Sequence, residues 1–333
     1  MSKTKIILRA DGGPQIGMGH FVRTLALAEM LRDDFHCTYA TQQPIVWQTQ
    51  EIENVCHDWI GLPGDESHFG VFLDHLRGDE IVVLDNYYFD TDYQRAIRDK
   101  GCKLVCIDDV HDKHFVADMV INHATGIRSD AYSVAPYTEL LLGYPYAMLR
   151  REFLDEQVGE ETKRYSVLVI MGGADPKNIT HTVARAACFR QWDLPVAVVS
   201  AGNHAQINNL SGLEGLKTFK RLSAKGISQL MREAIIGVLP ASTTAIEACA
   251  VRLPFITGYF VENQREIHEG LRDCGLAVSI GDFTSTAEDR LAGSIRILMT
   301  DKDLQKEIVQ NQQTHLDRQS PSRLLRAFKD LCN

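Results

Sequence analysis

Short apolar runs alternate along the chain with longer segments whose apolar positions recur at helical spacing. Lys5–Ala10 (KIILRA) reads as a buried strand. A glycine-rich loop follows, and then a helix over residues 21–31 with Leu25, Ala28 and Leu31 on one face. Residues 81–84 (IVVL) form a second strand ending at Asp85, residues 92–100 a helix with Gly101 at its C-terminal end, and residues 104–107 a third strand ending at Asp108. The pattern then restarts. Residues 166–171 (SVLVIM) are a strand, followed by Gly172-Gly173 and a helix after Pro176. Residues 195–200, 235–239 and 254–257 are further strands. Residues 227–233 and Thr243–Ala250 are helices, the second with Ser242 placed to cap it. The last fifty residues are helical and polar. Strands alternating with helices imply parallel sheets covered on both faces.

Two strand–glycine loop–helix openings, near residues 10 and 172, imply two similar α/β domains of the doubly wound kind. A length of 333 residues agrees, because one domain usually takes roughly 100–200. The expected domains are 1–155 and 156–333, joined across a charge-dense stretch, RREFLDEQVGEETKR.

Composition narrows the class. Hydrophobic residues make up 44% and charged residues 24%, enough for full cores. A formal charge of −9 argues against general binding to nucleic acid or to an anionic membrane, though not against one local phosphate site. The N-terminus lacks a signal-peptide core, and no run reaches the roughly 18 apolar residues of a membrane span. A cytoplasmic protein with no stable membrane insertion is expected. The 8 cysteines are scattered, mostly in apolar runs, and read as free buried thiols. Cys102 and Cys106 share one strand face, with no second pair to complete a zinc site.

The candidate chemistry lies beyond the carboxyl ends of strands, where parallel sheets bind ligands. In DGGPQIGMGHFVR, Gly12, Gly13, Gly17 and Gly19 permit tight turns and close ligand approach. His20 then opens a helix, where the helix dipole disfavours an imidazolium, so it is either a general base or a packed cap. In LPASTTAIEACA, Ser242, Thr243 and Thr244 occupy a first helical turn able to cradle phosphate, and Glu247 one turn on can accept ribose hydroxyls. The alternative is an ordinary cap and a solvated carboxylate. VENQRE offers Asn263 and Gln264 at a loop tip, either as ligand groups or as plain loop polarity. Gly172-Gly173-Ala174-Asp175 mirrors the first glycine loop. DDVHDKH gathers Asp and His residues, but without the spacing of a metal site it reads as a polar loop.

Together these segments resemble a known family. They are Gly17-Met18-Gly19-His20 with Arg23, Asp85-Asn86-Tyr87, Asp108-Asp109, GYPYAMLRREF, Met171-Gly172-Gly173, Ser242 to Glu247, and Asn263-Gln264. The set is similar to the PseG-type UDP-sugar hydrolases of pseudaminic acid biosynthesis, in order from about residue 5 to about 280. More distantly it resembles the transferases that add GlcNAc in peptidoglycan synthesis. The resemblance implies a GT-B fold, two Rossmann-like domains facing across a cleft with the last helix able to pack back on the first domain, and release of UDP from UDP-2,4-diacetamido-2,4,6-trideoxy-β-L-altropyranose. It implies that His20 directs water to the anomeric carbon, that Tyr87 lines the sugar pocket, and that Gly17, Gly19, Arg23 and Gly172 are among the residues binding the UDP-sugar. Ser242, Thr243 and Thr244 would hold the diphosphate, Glu247 the ribose, and Asn263 and Gln264 the diphosphate or the sugar, with Gly173 close to the nucleotide. It implies no metal and no other cofactor. The expected partner is the small UDP-sugar alone, with the protein a monomer or a weak homodimer.

Three rivals stay open on the sequence: a glycosyltransferase of the same fold, a hydrolysing UDP-sugar 2-epimerase, and a non-catalytic nucleotide-sugar-binding protein.

Overall fold

A computed structural model describes residues 3–13, 16–155, 162–172, 178–200, 210, 212–220 and 222–332. By their contacts they divide into two units, Met1–Met148 with Gln319–Asn333, and Leu149–Arg318. The sequence places the join at 155/156; the contacts divide the chain after Met148 and return its last helix to the first unit.

The first unit is built on β1 (Lys5–Ala10), α1 (Gly19–Leu31), β2 (His36–Gln42), α2 (Val46–Val55), β3 (Asp58–Leu62), α3 (His68–His75), β4 (Ile81–Asp85), α4 (Thr91–Asp99) and β5 (Lys103–Ile107). β6 (His114–Phe115), β7 (Met119–Asn122), β8 (Ser133–Val134) and β9 (Glu139–Leu142) follow. Seven strands form one sheet in the order β3-β2-β1-β4-β5-β7-β9, every pairing parallel. Alternation sorts the strand residues onto two faces. Ile6, Leu8, Val83, Val105 and Ile121 pack with Leu27 and Leu31 of α1. Ile7, Val82, Leu84, Leu104 and Val120 pack with Phe72 of α3 and Ile97 of α4. Both faces are covered, so the strands read as continuous apolar runs. Cys102 and Cys106 lie together in the second of these cores.

The second unit contains α5 (Arg151–Leu154), β10 (Tyr165–Ile170), α6 (Ile179–Cys188), β11 (Val196–Ser200), β12 (Leu216–Lys220), α7 (Ala224–Glu233), β13 (Ala234–Pro240) and α8 (Thr243–Ala250). It continues through β14 (Phe255–Tyr259), α9 (Arg265–Asp273), β15 (Val278–Asp282), α10 (Glu288–Thr300) and α11 (Lys302–His315). Its six strands are all parallel in the order β12-β11-β10-β13-β14-β15. Val167 and Val169 of β10 pack against Val183 of α6 and Leu291 and Ile295 of α10. α12 (Ser320–Asp330) belongs to the first unit, where Leu324 and Phe328 join the core beneath α1.

Each sheet has one point where strand order reverses, between β1 and β4 in the first and between β10 and β13 in the second. Crevices at such points, at the carboxyl ends of the strands, are where doubly wound folds bind ligands. The loops that the sequence singles out follow β1, β4, β10 and β13, which flank these points, and β5 and β14, one strand further out.

Candidate functional site

In the first unit the chain leaves β1 at Asp11 and enters α1 through the glycine loop. Gly13 and Gly17 exchange backbone hydrogen bonds of 2.9 and 2.8 Å, and Gly17 holds φ +78°, a conformation that favours glycine. A Cβ on Gly12 would lie 2.8 Å from that of Phe21, so this position admits no side chain without a shift. The loop delivers His20 as the second residue of α1, buried at 5% exposure.

Below His20 lies a closed network of charges. Ala10 of β1 pairs with Asp85 at the end of β4, which puts that carboxylate under the start of α1. Asp85 Oδ1 is 2.7 Å from His20 Nδ1, while Asp85 accepts from Arg23 through Nε at 2.7 Å and Nη2 at 2.6 Å, and from Thr24 Oγ1 at 2.7 Å. Arg23 Nη1 donates to Asp109 Oδ1 at 2.5 Å. Tyr87 hydroxyl donates to Asp109 Oδ2 at 3.2 Å, and its ring meets the His20 ring edge-on with centroids 4.7 Å apart. Burial alone would raise both acids, but the Arg23 guanidinium overcomes it and holds Asp85 and Asp109 below the usual carboxylate range. The two carboxylates in turn push Arg23 well above its ordinary value.

This charge pattern fixes the histidine's tautomer. An ionised Asp85 only accepts, so Nδ1 carries the proton and donates to it. Arg23 Nη2 lies 3.1 Å from the same nitrogen, but two donors do not bond, so this is a close approach only. In the neutral ring the lone pair is then on Nε2. Such an Asp–His pair orients an imidazole and supports it when it takes a proton.

The other acid at this edge works differently. Asp108 Oδ2 accepts from the backbone of Val110 and His111 at 3.1 and 2.7 Å and from Tyr132 hydroxyl at 3.0 Å, folding the DDVHDKH loop on itself. Burial raises its carboxyl. Among the described residues no three His, Cys, Asp or Glu side chains converge as a metal site.

In the second unit, Gly172 follows β10 at φ +86°. Gly173 lies outside the described residues. Ser242, Thr243 and Thr244, half-buried after β13, sit at the start of α8. The expectation that Ser242 caps this helix through its side chain needs correction. Its backbone is extended as a cap requires, but its hydroxyl donates to the Pro240 carbonyl at 3.4 Å and makes no bond to the helix. A helix start without a side-chain cap leaves its first N–H groups to outside acceptors. Glu247 is 1% exposed and held bidentately by Arg150, Nε–Oε1 at 2.7 Å and Nη2–Oε2 at 2.9 Å. Arg150 also stands over the Phe153 ring at 4.9 Å, so its guanidinium meets both that ring and the Glu247 carboxylate. Asn263 is exposed on a short turn, Glu262–Gln264. Gln264 Oε1 accepts from the Phe260 backbone at 3.1 Å, which commits that oxygen to shaping its own loop.

Thus the structure gathers His20, Arg23 and Tyr87 into one cluster and Ser242, Thr243, Thr244 and Glu247 along one helix. The sequence reading assigned no role to Asp85, Asp109, Arg150 or His123. Asp85 and Asp109 are the first acids pointing to the α1 face beyond apolar strands, a signal that strand alternation carries. His123 follows β7, a strand not read from the sequence, and its signal was hidden with it.

No family model matches the chain. It is 25% identical over 284 residues to the UDP-2,4-diacetamido-2,4,6-trideoxy-β-L-altropyranose hydrolase of Campylobacter jejuni, covering 82% of this chain and 98% of that one. It is 26% identical over 289 residues to the spore coat polysaccharide biosynthesis protein SpsG of Bacillus subtilis, covering 82% of each. Its fold matches the crystal structure of MurG from Acinetobacter baumannii with a TM-score of 0.64 at 12% identity, over 98% of this chain and 99% of that chain. The fold is GT-B, and the likeness to the C. jejuni hydrolase bears out the family resemblance read from the sequence.

Proposed function

We propose that this PseG-type chain is a cytoplasmic hydrolase that cleaves the anomeric C–O bond of a UDP-linked 2,4-diacetamido-2,4,6-trideoxy hexose. Water attacks the anomeric carbon as its proton passes to His20 Nε2. The bond to the β-phosphate oxygen breaks with its electron pair, UDP departs, and attack from the opposite side inverts the centre. UDP is already a competent leaving group, so the chemistry asks for a placed nucleophile and support for the departing charge, not a strong acid.

The observation that carries this reading is the Asp85–His20 pair: a 2.7 Å contact that fixes Nδ1–H and leaves Nε2 as a base at the N-terminal turn of α1. The likeness to the C. jejuni altropyranose hydrolase supplies the substrate class. For the nucleotide, the α8 start with Ser242, Thr243 and Thr244 suits a diphosphate. Each Glu247 oxygen can accept a ribose hydroxyl while keeping its Arg150 bond. Gly17, Gly19 and Tyr87 border the sugar, and Gly172, Gly173, Asn263 and Gln264 complete the nucleotide side. No metal is required, since the helix start provides the positive field. Eight free cysteines suit a reducing compartment, and no helix among the described residues is long and apolar enough to cross a membrane.

The test is to incubate the purified protein with the altropyranose UDP-sugar, chelator and no acceptor, following products by proton NMR. Stoichiometric UDP and the inverted free sugar are expected. UDP release only after an acceptor is added would make the protein a transferase, and loss of a C2 deuterium label would make it an epimerase.

A further inference from the structure

Three neighbouring strands send a side chain to the same face at the same edge of the first sheet. Ile81 and Val83 of β4, Val105 and Ile107 of β5, and Met119 and Ile121 of β7 all lie in the core beneath α1. Continuing the alternation by one step beyond each strand's apolar residues puts Asp85, Asp109 and His123 on that face too. Asp85 and Asp109 are the two carboxylates that hold Arg23. His123 is the third member of the row. It is electrostatically coupled to Arg23, Asp109 and Asp85, so it stands beside the His20 network.

His123 differs from its neighbours in having nothing to do. It is 1% exposed, and neither Nδ1 nor Nε2 has a hydrogen-bond partner among the described residues. Buried polar groups are almost always paired, and an orphan beside a reaction centre points to a partner that arrives with the ligand. A second orphan sits at the same edge. Asn86, directly after Asp85, uses Oδ1 to accept from the Tyr87 backbone at 2.8 Å, while its buried Nδ2 has no partner among the described residues. Burial and the nearby guanidinium of Arg23 push the His123 imidazolium down to about 4, so near neutral pH the ring offers one donor and one acceptor. Its natural complement is a group that also does both: a hydroxyl or a secondary amide.

We propose that His123 is a substrate-binding residue that hydrogen-bonds a hydroxyl or acylamino substituent of the sugar, and so helps set which sugars the site accepts. This deepens the hydrolase reading and rests on it for the identity of the ligand as a UDP-sugar.

The experiment is calorimetry in a His20→Ala background, where substrate survives the titration, with the altropyranose UDP-sugar and UDP each titrated into His123 and His123→Phe proteins. The UDP-sugar Kd should rise roughly 3–10-fold in the His123→Phe protein, the worth of one neutral hydrogen bond, while the UDP Kd stays within twofold. His123→Gln, which keeps a donor and an acceptor, should recover part of the loss. Should the phenylalanine variant not fold, His123→Leu carries the same comparison. Both Kd values unchanged would mean that the imidazole serves only buried water, and both weakened alike would mean a structural role; either overturns the proposal. Tight UDP-sugar binding without UDP release by the wild type would sink the hydrolase reading alone. No UDP-sugar binding would sink both.

Discussion

The carboxyl edges of the two sheets are built to opposite plans. In the first unit, one guanidinium, two carboxylates and an imidazole are buried and mutually bonded, with Arg23 and His20 only 4% and 5% exposed. In the second, the described residues of the corresponding edge present half-buried hydroxyls at an uncapped helix start, and a carboxylate, Glu247, held by Arg150. A group that must exchange a proton in a fixed direction gains from being locked before the ligand comes, because reorganisation then costs nothing at the moment of reaction. A phosphate-binding turn gains from the reverse, leaving N–H groups for the ligand to claim. The same supersecondary unit therefore serves as rigid chemistry in one place and as an open cradle in the other.

The most disruptive way to probe this contrast is Asp85→Asn. Arg23 would lose half of its compensation while buried, costing about 3–5 kcal/mol in a urea titration, and His20 would lose its fixed tautomer. Turnover should fall at least as far as in the next variant. His20→Ala should lower kcat by about 10²–10⁴-fold while UDP affinity, measured by calorimetry, stays the same. If both rate and UDP affinity collapse, the two edges do not divide the work as described. Glu247→Gln should show the mirror image: UDP binding roughly 10-fold weaker with kcat little changed, as expected for losing hydrogen bonds to a charged acceptor.

Acid offers a finer test within the first unit. The unfolded chain protonates His123 near 6.5, but the folded protein resists until about 4. This contribution to stability is complete above about 6.5 and is lost as pH falls toward about 4, because only the unfolded state takes up the proton in that window. Denaturant unfolding across this range should show a slope that His123→Phe flattens. Asp85 and Asp109, held low by Arg23, add a separate loss that begins as pH falls through the ordinary carboxylate range, where the unfolded chain takes up protons and the folded one does not. The smallest effect expected is that of Ser242→Ala. With no bond from its hydroxyl to the helix, the change should move stability by less than about 0.5 kcal/mol, where a true cap would cost about 1.

What could be read from the sequence follows from how local each signal is. Lys5–Ala10 and Thr243–Ala250 announced themselves because strong apolar runs stand beside glycine or hydroxyl punctuation. β12 (LKTFK) and β3 (DWIGL) did not, because they are edge strands whose polar, half-exposed residues break the apolar run. His20 was legible from its place after a loop of four glycines. Its partnership with Asp85 spans 65 positions and exists only because β4 lies beside β1, a fact of topology and not of spacing. The Arg150–Glu247 clamp, 97 positions apart, was hidden for the same reason. DDVHDKH reads from its spacing as a polar loop, but spacing does not tell its acids apart: one folds the loop and another neutralises Arg23.

The closing helix has a consequence for how the chain is made. Leu324 and Phe328 fill the hollow beneath α1, and the Phe328 ring meets that of Phe35 with centroids 6.4 Å apart. Residues 5–142, which hold the first sheet, leave the ribosome well before the helix that completes their core. Until then the front half carries an uncovered greasy seam, a natural foothold for a chaperone.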